Sequence, residues 1–588
     1  TNATKRDYGF VIRVNGKLRI VDTSAKKTGI VKGGYNTSTD YRGSGGIAVY
    51  AGEVTLTSGT ITANHGGLTG GISVNTNAKL NLGGDVKIID NFTLAEVKSN
   101  IYLVDAVKGK IGIVSELYGG EKFGVTRLGN GVITEGFSKY HPSGKVGDFF
   151  ESENANYDIV PSNDGTVTEA ALLSFVASTN WEYAIKTSLE NGGAPQVCYL
   201  FSNWTATAGS AGFGSGSSYY SNGALYVPAG AHVILELNGF TVDRNLQASS
   251  YTYGYVIYIG GGTLTIRDSS ETGTGKVTGG NVSGSYNYAG CVHITSSGKF
   301  ILESGALTEN VTNRSSVGGA VYVNSNCVFT MTGGSIDHNS ATGSGAGAVW
   351  VRNNAGAQFI MTGGSITDNK AASASYSGGV YVYAPSVFKL GGSAVIQNNT
   401  AGGTPNNIYS TDAKAKFEIV SEIKDSFKIG VTRANNNYTN PDGSYVTDKW
   451  GNFSKKSPLG MVVSDDDRYE IIESLYGTTT EAAIWCLDGA KNWDDAVTQS
   501  NAQKGAQQVV KLYNDWEGLP FEAGMSLRRS YVSTNFSSGR LYISGTANIV
   551  LDLNGYKIDR KLDAARSSGS VIYMGSATCK LEITDTSD

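Results

Sequence analysis

FTMTGGSIDHN at Phe329–Asn339, FIMTGGSITDN at Phe359–Asn369 and FKLGGSAVIQN at Phe388–Asn398 are three versions of one segment. Each follows a glycine-rich stretch, GGAVYV, GAVWV or GGVYVYA. The closing asparagines, counted from Asn310, are spaced by 29, 30 and 29 residues. A unit of about 30 residues cannot bury a core alone, so it must stack on its neighbours.

Inside each unit, apolar and polar residues alternate as they do in a β-strand. Phe329 and Met331 point to one side, whereas Thr330 and Thr332 point to the other. Paired glycines then turn the chain. The sequence therefore predicts an all-β fold, a right-handed parallel β-helix, with its handedness taken from the rule for parallel crossovers.

A longer repeat lies over the short one. Trp181 and Trp204 recur 312 residues later as Trp493 and Trp516. We predict the tail of one copy, one full copy and the start of a third, within a longer array. The predicted segments are a β-helix (1–105), an irregular β-rich segment (106–173), a capping helix with its following strand (174–222), a second β-helix (223–410), a second irregular segment (411–485), a second capping helix with its strand (486–538) and the start of a third β-helix (539–588).

The capping helix is predicted for Asn180–Gly193, where apolar residues recur at helical spacing. Its apolar face comprises Trp181, Ala184, Ile185 and Leu189. Two glycines end it. We expect this helix, and its counterpart starting at Trp493, to close one end of a stack of coils.

The composition agrees with short strands and tight turns. Glycine (78 residues) and tyrosine (33) are abundant, proline is scarce (9), and charged residues make up 17%. The net charge is −4 without a Lys/Arg-rich face, so nucleic acid is not an expected partner. No apolar run approaches the ~18 residues of a membrane helix. The five cysteines do not recur between copies and are interpreted as small core residues.

Asparagine closes each unit. We predict that Asn64, Asn310, Asn339, Asn369 and Asn398 stack at one corner of the coils. Stacked amides hydrogen-bond their neighbours along the axis, which stabilises the coils without any chemistry.

Aromatic residues occupy matching positions in three successive coils, at Tyr322, Trp350 and Tyr381. The neighbouring valines Val321 and Val323 point to the core, so we predict an exterior aromatic ladder. Exposed rings bind sugars or a partner protein. The alternative is cross-strand stacking that only stabilises the sheet.

Several acidic positions have both a structural and a chemical interpretation. Asp243-Arg244 recurs as Asp559-Arg560, which suits either turn chemistry or proton abstraction from a uronate. Asp268, with its counterparts Asp22 and Asp585, is either a turn residue or one Ca²⁺ ligand per copy. The acidic stretches 440–452 and 464–470 are either solvated loops or Ca²⁺ sites. His338 is either a surface turn residue or a catalytic base confined to one coil.

The coils resemble the repeats of polymorphic outer membrane proteins and of the wider group of bacterial β-helix surface adhesins. Gly318-Gly319-Ala320-Val321 and Gly378-Gly379-Val380 match the GGA-type motif, and Asn310, Asn339 and Asn369 match the asparagine of the second. Leu307, Ile336 and Ile366 stand where those repeats have phenylalanine. The resemblance implies an extracellular β-helix for adhesion or for use as a stalk, and it supplies no catalytic residues.

We therefore expect a non-enzymatic structural or adhesive protein of a bacterial surface, without a cofactor. Its expected partners are surface glycans, host or cell-surface proteins, and sister fibres. One alternative is a polysaccharide lyase or hydrolase on the same fold, because fold alone does not decide function. A second alternative is a phage tailspike, which would form a trimer with a distinct C-terminal domain.

Overall fold

The computed structural model of this chain is nearly all β-structure, with 46% strand, 7% helix and long stacks of parallel strands. The predicted parallel β-helix is confirmed. The chain divides into two compact units, Thr1–Trp204 with Gly230–Phe240, and Thr205–Ala229 with Thr241–Asp588. The structure describes residues 9–40, 42–105, 109–118, 120–163, 168–209, 212–214, 218–246, 253–283, 288–352, 356–383, 385–411, 416–424, 428–433, 445–453, 457–467, 469–473, 480–487, 489–521, 524–526, 535–562 and 569–587.

In the first unit, successive coils contribute one strand each to parallel rows. The first row is Ile12–Val14, Ile47–Val49, Ile72–Val74, Ile101–Leu103, Phe123–Arg127 and Phe150–Ser152. The second row is Lys17–Ile20, Gly52–Leu56, Ala78–Gly84, Ile111–Leu117 and Thr134–Glu135. The third row is Ile30–Val31, Thr60–Ile61 and Lys87–Ile88, followed by a corner row of Tyr35–Asn36, His65–Gly66 and Phe92–Thr93.

The end of the first unit is less regular. Tyr157–Asn163 pairs antiparallel with Thr168–Ser174, which also pairs with Gly131–Val132. The other elements are the helices Phe137–Tyr140, Val146–Asp148 (3-10) and Ala177–Glu190, and the parallel strands Gln196–Tyr199 and His232–Glu236. The strand Trp204–Thr205 spans the change to the second unit.

The second unit repeats the same rows over more coils. Its first row is Ala224–Pro228, Ile257–Gly260, Val292–Thr295, Val321–Val323, Val349–Val351, Val380–Val382, Ile408–Ser410, Lys428–Arg433 and Val462–Ser464. Its second row is Thr263–Arg267, Lys299–Leu302, Val328–Met331, Gln358–Met361, Val387–Gly392, Phe417–Ile423 and Thr447–Asp448. Its third row is Thr241–Asp243, Lys276–Thr278, Ala306–Thr308, Ser335–Asp337, Ser365–Thr367 and Val395–Gln397. Its corner row is Asn281–Val282, Val311–Thr312, Ser340–Ala341, Lys370–Ala371 and Thr400–Ala401, and the last of these pairs antiparallel with Thr404–Pro405.

Shorter elements complete the second unit. Its helices are Trp450–Phe453 and Gly489–Ala502, and its isolated strand pairs are Tyr469–Glu473 with Ala482–Cys486, Trp516–Glu517 with Ile558–Asp559, and Leu519–Phe521 with Gly524–Ser526. The remaining strands are Tyr220–Ser221, Gln507–Lys511, Phe536–Ser537, Arg540–Ile543, Asn548–Asp552, Ile572–Met574 and Lys580–Thr584.

The core of the second unit contains a stack of phenylalanines, one from each coil. Phe300, Phe329, Phe359 and Phe388 are fully buried and lie in register on the second row. Their ring centroids are 4.9, 4.6 and 4.9 Å apart, with interplanar angles of 11°, 5° and 6°. Phe329 and Met331, which were predicted to share one side of the strand, are both fully buried. Identical side chains fill identical places along the axis.

Paired glycines mark the corner where each coil passes closest to the next. A Cβ on Gly319 would lie 2.2 Å from the carbonyl oxygen of Gly347, and one on Gly347 would lie 2.4 Å from that of Gly378. A larger residue would push the coils apart at this corner. The GGA-type motif is therefore a packing requirement of the stack.

The two longer helices follow the sequence prediction with one correction. In Ala177–Glu190, Trp181, Ala184 and Ile185 are buried as expected, but Leu189 is 45% exposed. Ser188 takes the expected inward position instead, since its hydroxyl accepts the His232 backbone N–H at 2.8 Å.

The second long helix, Gly489–Ala502, repeats this arrangement. Trp493, Ala496 and Val497 share one hydrophobic cluster with the strands Gln507–Lys511 and Asn548–Asp552. Ser500 accepts the Asn548 backbone N–H at 2.8 Å, as Ser188 does for its partner. The helix therefore packs against the first coils of the third copy.

Candidate functional site

Seven rings form a continuous register along the outer side of the first row in the second unit, here called the outer aromatic row. They are Tyr226, Tyr258, His293, Tyr322, Trp350, Tyr381 and Tyr409. Strand alternation explains their direction, because the flanking residues Val321 and Val323 point into the core. The predicted correspondence of Tyr322, Trp350 and Tyr381 in three successive coils thus holds in the structure.

The predicted exposure of these three rings is wrong. Tyr322, Trp350 and Tyr381 are only 7%, 5% and 6% exposed. Corner loops cover them, and Val317, Ala346 and Tyr376 belong to the same hydrophobic cluster. The loop between the closing asparagine and the glycine pair therefore shields most of each ring.

The row divides into two stacks. Tyr322 stacks on His293 at 4.9 Å and 19°, whereas Trp350 stacks on Tyr381 at 4.1 Å and 11°. Tyr381 continues to Tyr409 at 5.3 Å and 8°. Among the described residues, no ring contact joins Tyr322 to Trp350. The row therefore opens between these two coils.

A cleft of about 490 Å³ lies at this opening. Its lining residues are His293, Ser316, Tyr322, Asn324, Trp350, Arg352, Tyr376, Tyr381 and Tyr383. Arg352 is exposed, and its Nη1 donates to Asn324 Oδ1 at 2.6 Å. It also hydrogen-bonds the Tyr322 hydroxyl. Burial raises the pKa of Tyr322, so this phenol stays neutral and its hydroxyl both donates and accepts.

A second cleft of about 700 Å³ adjoins the row at Tyr409. Asp465, Asp466 and Asp467 line it, together with Arg433. The stack from Tyr381 to Tyr409 lies between the two clefts. The row thus has an arginine at its opening and carboxylates at its end.

The first unit has the same register positions without an aromatic row. They hold Arg13, Ala48, Ser73, Tyr102 and Thr126. The third copy begins with aromatic residues again, since Tyr542 stacks on Tyr573 at 5.6 Å and 15°. Because the coils of the first unit form with alanine and serine at these places, the fold itself does not require the rings.

His293 is the one imidazole in this row. It lies parallel to Tyr258, with centroids 5.6 Å apart and an interplanar angle of 4°. Its Nδ1 accepts the backbone N–H of Ala289 at 3.4 Å. Burial lowers the pKa of His293 to about 3, because the charged imidazolium would lose its hydration. His293 is therefore a neutral ring of the stack and an unsuitable proton donor.

The buried imidazole makes stability dependent on pH. Since the folded pKa lies below the unfolded value of 6.5, the unfolded state binds the proton first and stability falls as the pH drops below 6.5. Between pH 7 and pH 5 we expect His293 to account for a loss of about 2 kcal/mol. His293→Tyr, which copies its neighbours in the row, should remove this part of the pH dependence in urea unfolding curves. An identical pH dependence of wild type and variant would contradict the assignment.

The predicted asparagine ladder has continuous hydrogen bonding from coil to coil. Asn310 Nδ2 and its backbone N–H both donate to Asn339 Oδ1 at 3.0 Å. Asn339 donates in the same way to Asn369, at 2.9 and 3.0 Å. Asn369 donates to Asn399, and Asn399 to Asn407. Every amide points the same way along the axis, so the ladder is polar.

Asn398 was predicted as a rung, and this is wrong. Asn398 is exposed with a φ of 58°, and the rung is the fully buried Asn399. The segment from Phe388 has one residue more than that from Phe359, because Gly391–Ala394 makes a longer turn before the strand Val395–Gln397. Asn398 therefore takes the left-handed position that His338 and Asp368 take in the preceding coils.

A partly buried carboxylate ends the ladder in both units. Asn407 donates its backbone N–H to Asp465 Oδ2 at 2.6 Å and its Nδ2 to Asp465 Oδ1 at 2.9 Å. In the first unit, Asn64 leads to Asn91 and Asn100, which donates in the same way to Glu153. Burial raises the pKa of Asp465 and of Glu153 more than these hydrogen bonds lower it. Sequence inspection missed both acids, which lie 58 and 53 residues beyond their asparagines.

The Asp-Arg pairs act as separate structural groups. Asp243 Oδ1 accepts the Asn245 backbone N–H at 2.7 Å, and Asp559 Oδ1 accepts that of Lys561 at 2.8 Å. Arg244 is buried and donates to the carbonyl oxygens of Gly209 and Asn222. Arg560 likewise donates to Ser538 and Ser570 carbonyls. The turn interpretation accounts for both carboxylates, and each arginine holds two loops together.

The acids considered as calcium ligands have backbone partners. Asp268 accepts N–H groups of Ser270 and Gly275, Asp22 those of Ser24 and Gly29, and Asp585 those of Gly555 and Ser587. Asp465 in the 464–470 stretch ends the ladder, and residues 440–444 lie outside the described residues. Within the described ranges, no group of three or more His, Cys, Asp or Glu side chains is placed to hold a metal ion.

The remaining reactive side chains lie in structural positions. Cys198, Cys291, Cys327 and Cys579 are buried free thiols, and burial raises the pKa of the first three. His338 is exposed in a left-handed turn, with its Nδ1 3.0 Å from Asp337 Oδ1. This contact raises the pKa of His338. This environment fits the interpretation of His338 as a surface turn residue.

Comparison with known proteins gives no relative. No protein-family model matches the chain, and no curated protein or solved structure matches it significantly. The structure itself defines the class as a parallel β-helix with polar asparagine ladders. None of the helices among the described residues is long and apolar enough to cross a membrane.

Proposed function

We propose that this chain is part of an extracellular structural and adhesive protein, in which stacked coils form a stiff stalk at a bacterial surface. One observation carries this proposal: the asparagine ladder joins coil to coil without interruption from Asn310 to Asn407. Each rung is bonded to the next, so bending the stack would stretch several buried hydrogen bonds at once.

The tandem organisation supports the same function. The helix, the coils and the carboxylate that ends the ladder recur along the chain at intervals near 312 residues. Adding copies lengthens such a protein without a new fold, because each coil contacts mainly its neighbours. A stalk uses this property, and lateral residues that differ between copies then supply adhesion to glycans, cell-surface proteins or sister fibres.

The location is tested on intact cells that make the protein. Antibodies raised against the 588-residue chain should label the cell exterior, with gold particles set away from the membrane in electron micrographs. Mild protease treatment of intact cells should remove the label, whereas an antibody to a cytosolic protein should label only opened cells. Labelling that requires permeabilised cells would refute an extracellular stalk.

A further inference from the structure

The cleft at the opening of the outer aromatic row has the chemistry of a sugar site. Its lining combines the exposed Tyr383 and the small exposed parts of Tyr322, Trp350 and Tyr381 with the polar residues Asn324 and Ser316. Sugars present both C–H faces and hydroxyl groups, and mixed aromatic and polar linings bind both. The lining residues come from four successive coils, which at ~4.8 Å per coil span about 14 Å, enough for two or three linked sugars.

Arg352 gives the cleft a charge preference. It is exposed, and its partners are the neutral groups Asn324 Oδ1 and the Tyr322 hydroxyl. Among the described residues it has no carboxylate partner. Two neutral acceptors hold the guanidinium at the cleft, and no carboxylate of the described ranges compensates its charge. A planar guanidinium in this state binds a carboxylate through paired hydrogen bonds.

Negative charge at the end of the outer aromatic row limits where a bound glycan can carry its acidic groups. Asp466 and Asp467 line the neighbouring cleft beyond Tyr409. A polysaccharide with an acid on every sugar would bring carboxylates toward these aspartates. A glycan with one acidic sugar at its end, placed at Arg352, avoids this repulsion.

We propose that the Arg352 cleft binds the terminal carboxylated sugar of a glycan, with Arg352 on the carboxylate and Tyr383 beside the next sugar. This assignment deepens the proposed adhesive function. It places adhesion in the second copy of the described chain, because consecutive rings and Arg352 line one cleft there, whereas the matching positions of the first unit hold a single ring. Those positions are Arg13, Ala48, Ser73, Tyr102 and Thr126.

Binding to the full chain by isothermal titration calorimetry tests the charge preference. The probes are sialyllactose, a hyaluronan tetrasaccharide that carries glucuronate, and lactose as the neutral counterpart of the first. We expect sialyllactose to bind at least about 10-fold more tightly than lactose, as a charge-assisted hydrogen bond implies. Tighter binding of the tetrasaccharide than of sialyllactose would identify a uronate as the acidic sugar. Equal affinity of all three probes, or no binding to any, overturns the proposal.

Variants locate the binding to this cleft. Arg352→Gln should weaken sialyllactose at least about 10-fold and leave lactose unchanged, whereas Arg352→Lys should lie between. Arg19→Gln removes the same charge from an exposed site of the first unit and is the matched control. Equal weakening by Arg352→Gln and Arg19→Gln would show nonspecific attraction and refute the site.

The aromatic contribution is tested separately with Tyr383→Ser. Tyr383 is partly exposed at the cleft, so the variant should weaken both sugars by a similar factor. Tyr118→Ser changes an exposed tyrosine of the first unit and should change neither affinity. An unchanged affinity in Tyr383→Ser would exclude the second sugar from this position. These solution measurements are independent of cell location, so a failure here leaves the stalk proposal standing, and a failure to label cells leaves the sugar site standing.

Discussion

Phe359→Ala should lower the free energy of unfolding of the second unit by about 3–5 kcal/mol, because it removes a fully buried ring from between two others. The Phe359 ring lies 4.6 Å from that of Phe329 and 4.9 Å from that of Phe388, nearly parallel to both. The rows on either side are fixed by backbone pairing, so neighbouring coils cannot collapse into the space. The cost therefore includes a residual cavity as well as lost apolar contact.

Hydrogen exchange is the suitable measurement, since each coil contacts mainly its neighbours and the loss should stay local. Protection should fall in Val328–Met331, Gln358–Met361 and Val387–Gly392. Ile101–Leu103 in the first unit should keep its protection and serves as an internal reference.

Phe359→Leu is the control for the Phe359 prediction. Leu264 occupies the same register next to Phe300, so leucine fits this place and should cost less than about 1.5 kcal/mol. Equal hydrogen-exchange protection in the alanine variant and in wild type would contradict the proposed contribution of the phenylalanine stack to stability.

The regular part of the fold follows directly from the sequence. Alternation at Phe329–Thr332 identifies the strand and its buried side, and the 30-residue period identifies the stacking. These signals are strong because identical side chains meet in register on successive coils, so the same residue pattern recurs in the sequence once per coil. The same redundancy predicts the rungs Asn310, Asn339 and Asn369.

The errors occur where one residue changes the register or a distant segment intervenes. A single additional residue after Phe388 shifts the rung from Asn398 to Asn399, and consecutive asparagines hide the shift. Leu189 fits the apolar face of the predicted helix, but Ser188 is the buried residue because its hydroxyl accepts the backbone N–H of His232 in a later strand. Neither fact is visible in the local pattern.

The candidate site was predicted only in part for a similar reason. Strand alternation places Tyr322, Trp350 and Tyr381 on the outer side, but their cover comes from loops with no repeated sequence, such as the one that carries Tyr376. Arg352 has no counterpart at the same step of the neighbouring coils, where Asn324 and Tyr383 stand. A comparison of loops between coils, and of charges two residues after each ring, would have indicated the cleft.

Replacing Asn339 and Asn369 together with alanine should destabilise the second unit by about 2–6 kcal/mol, from about 1–3 kcal/mol for each buried rung. Asn339→Ala removes the acceptor of the Asn310 N–H and Nδ2 groups. It also removes the donor to the carbonyl oxygens of Leu307 and Asp337. These groups are shielded from water, so their lost partners are not replaced.

The shift between Asn398 and Asn399 supplies a matched pair for this experiment. Asn399→Ala should cost about as much as a single internal rung, about 1–3 kcal/mol, because Asn399 is fully buried and bonds Asn369 and Asn407. Asn398→Gly keeps the left-handed turn at φ 58° and removes only an exposed amide, so its unfolding curve should match wild type. Urea unfolding monitored by tryptophan fluorescence, with hydrogen exchange at Ser365–Thr367 and Val395–Gln397, measures both. A larger effect at 398 than at 399 would refute the ladder register and, with it, the role of the partly buried Asp465 carboxylate as the final acceptor.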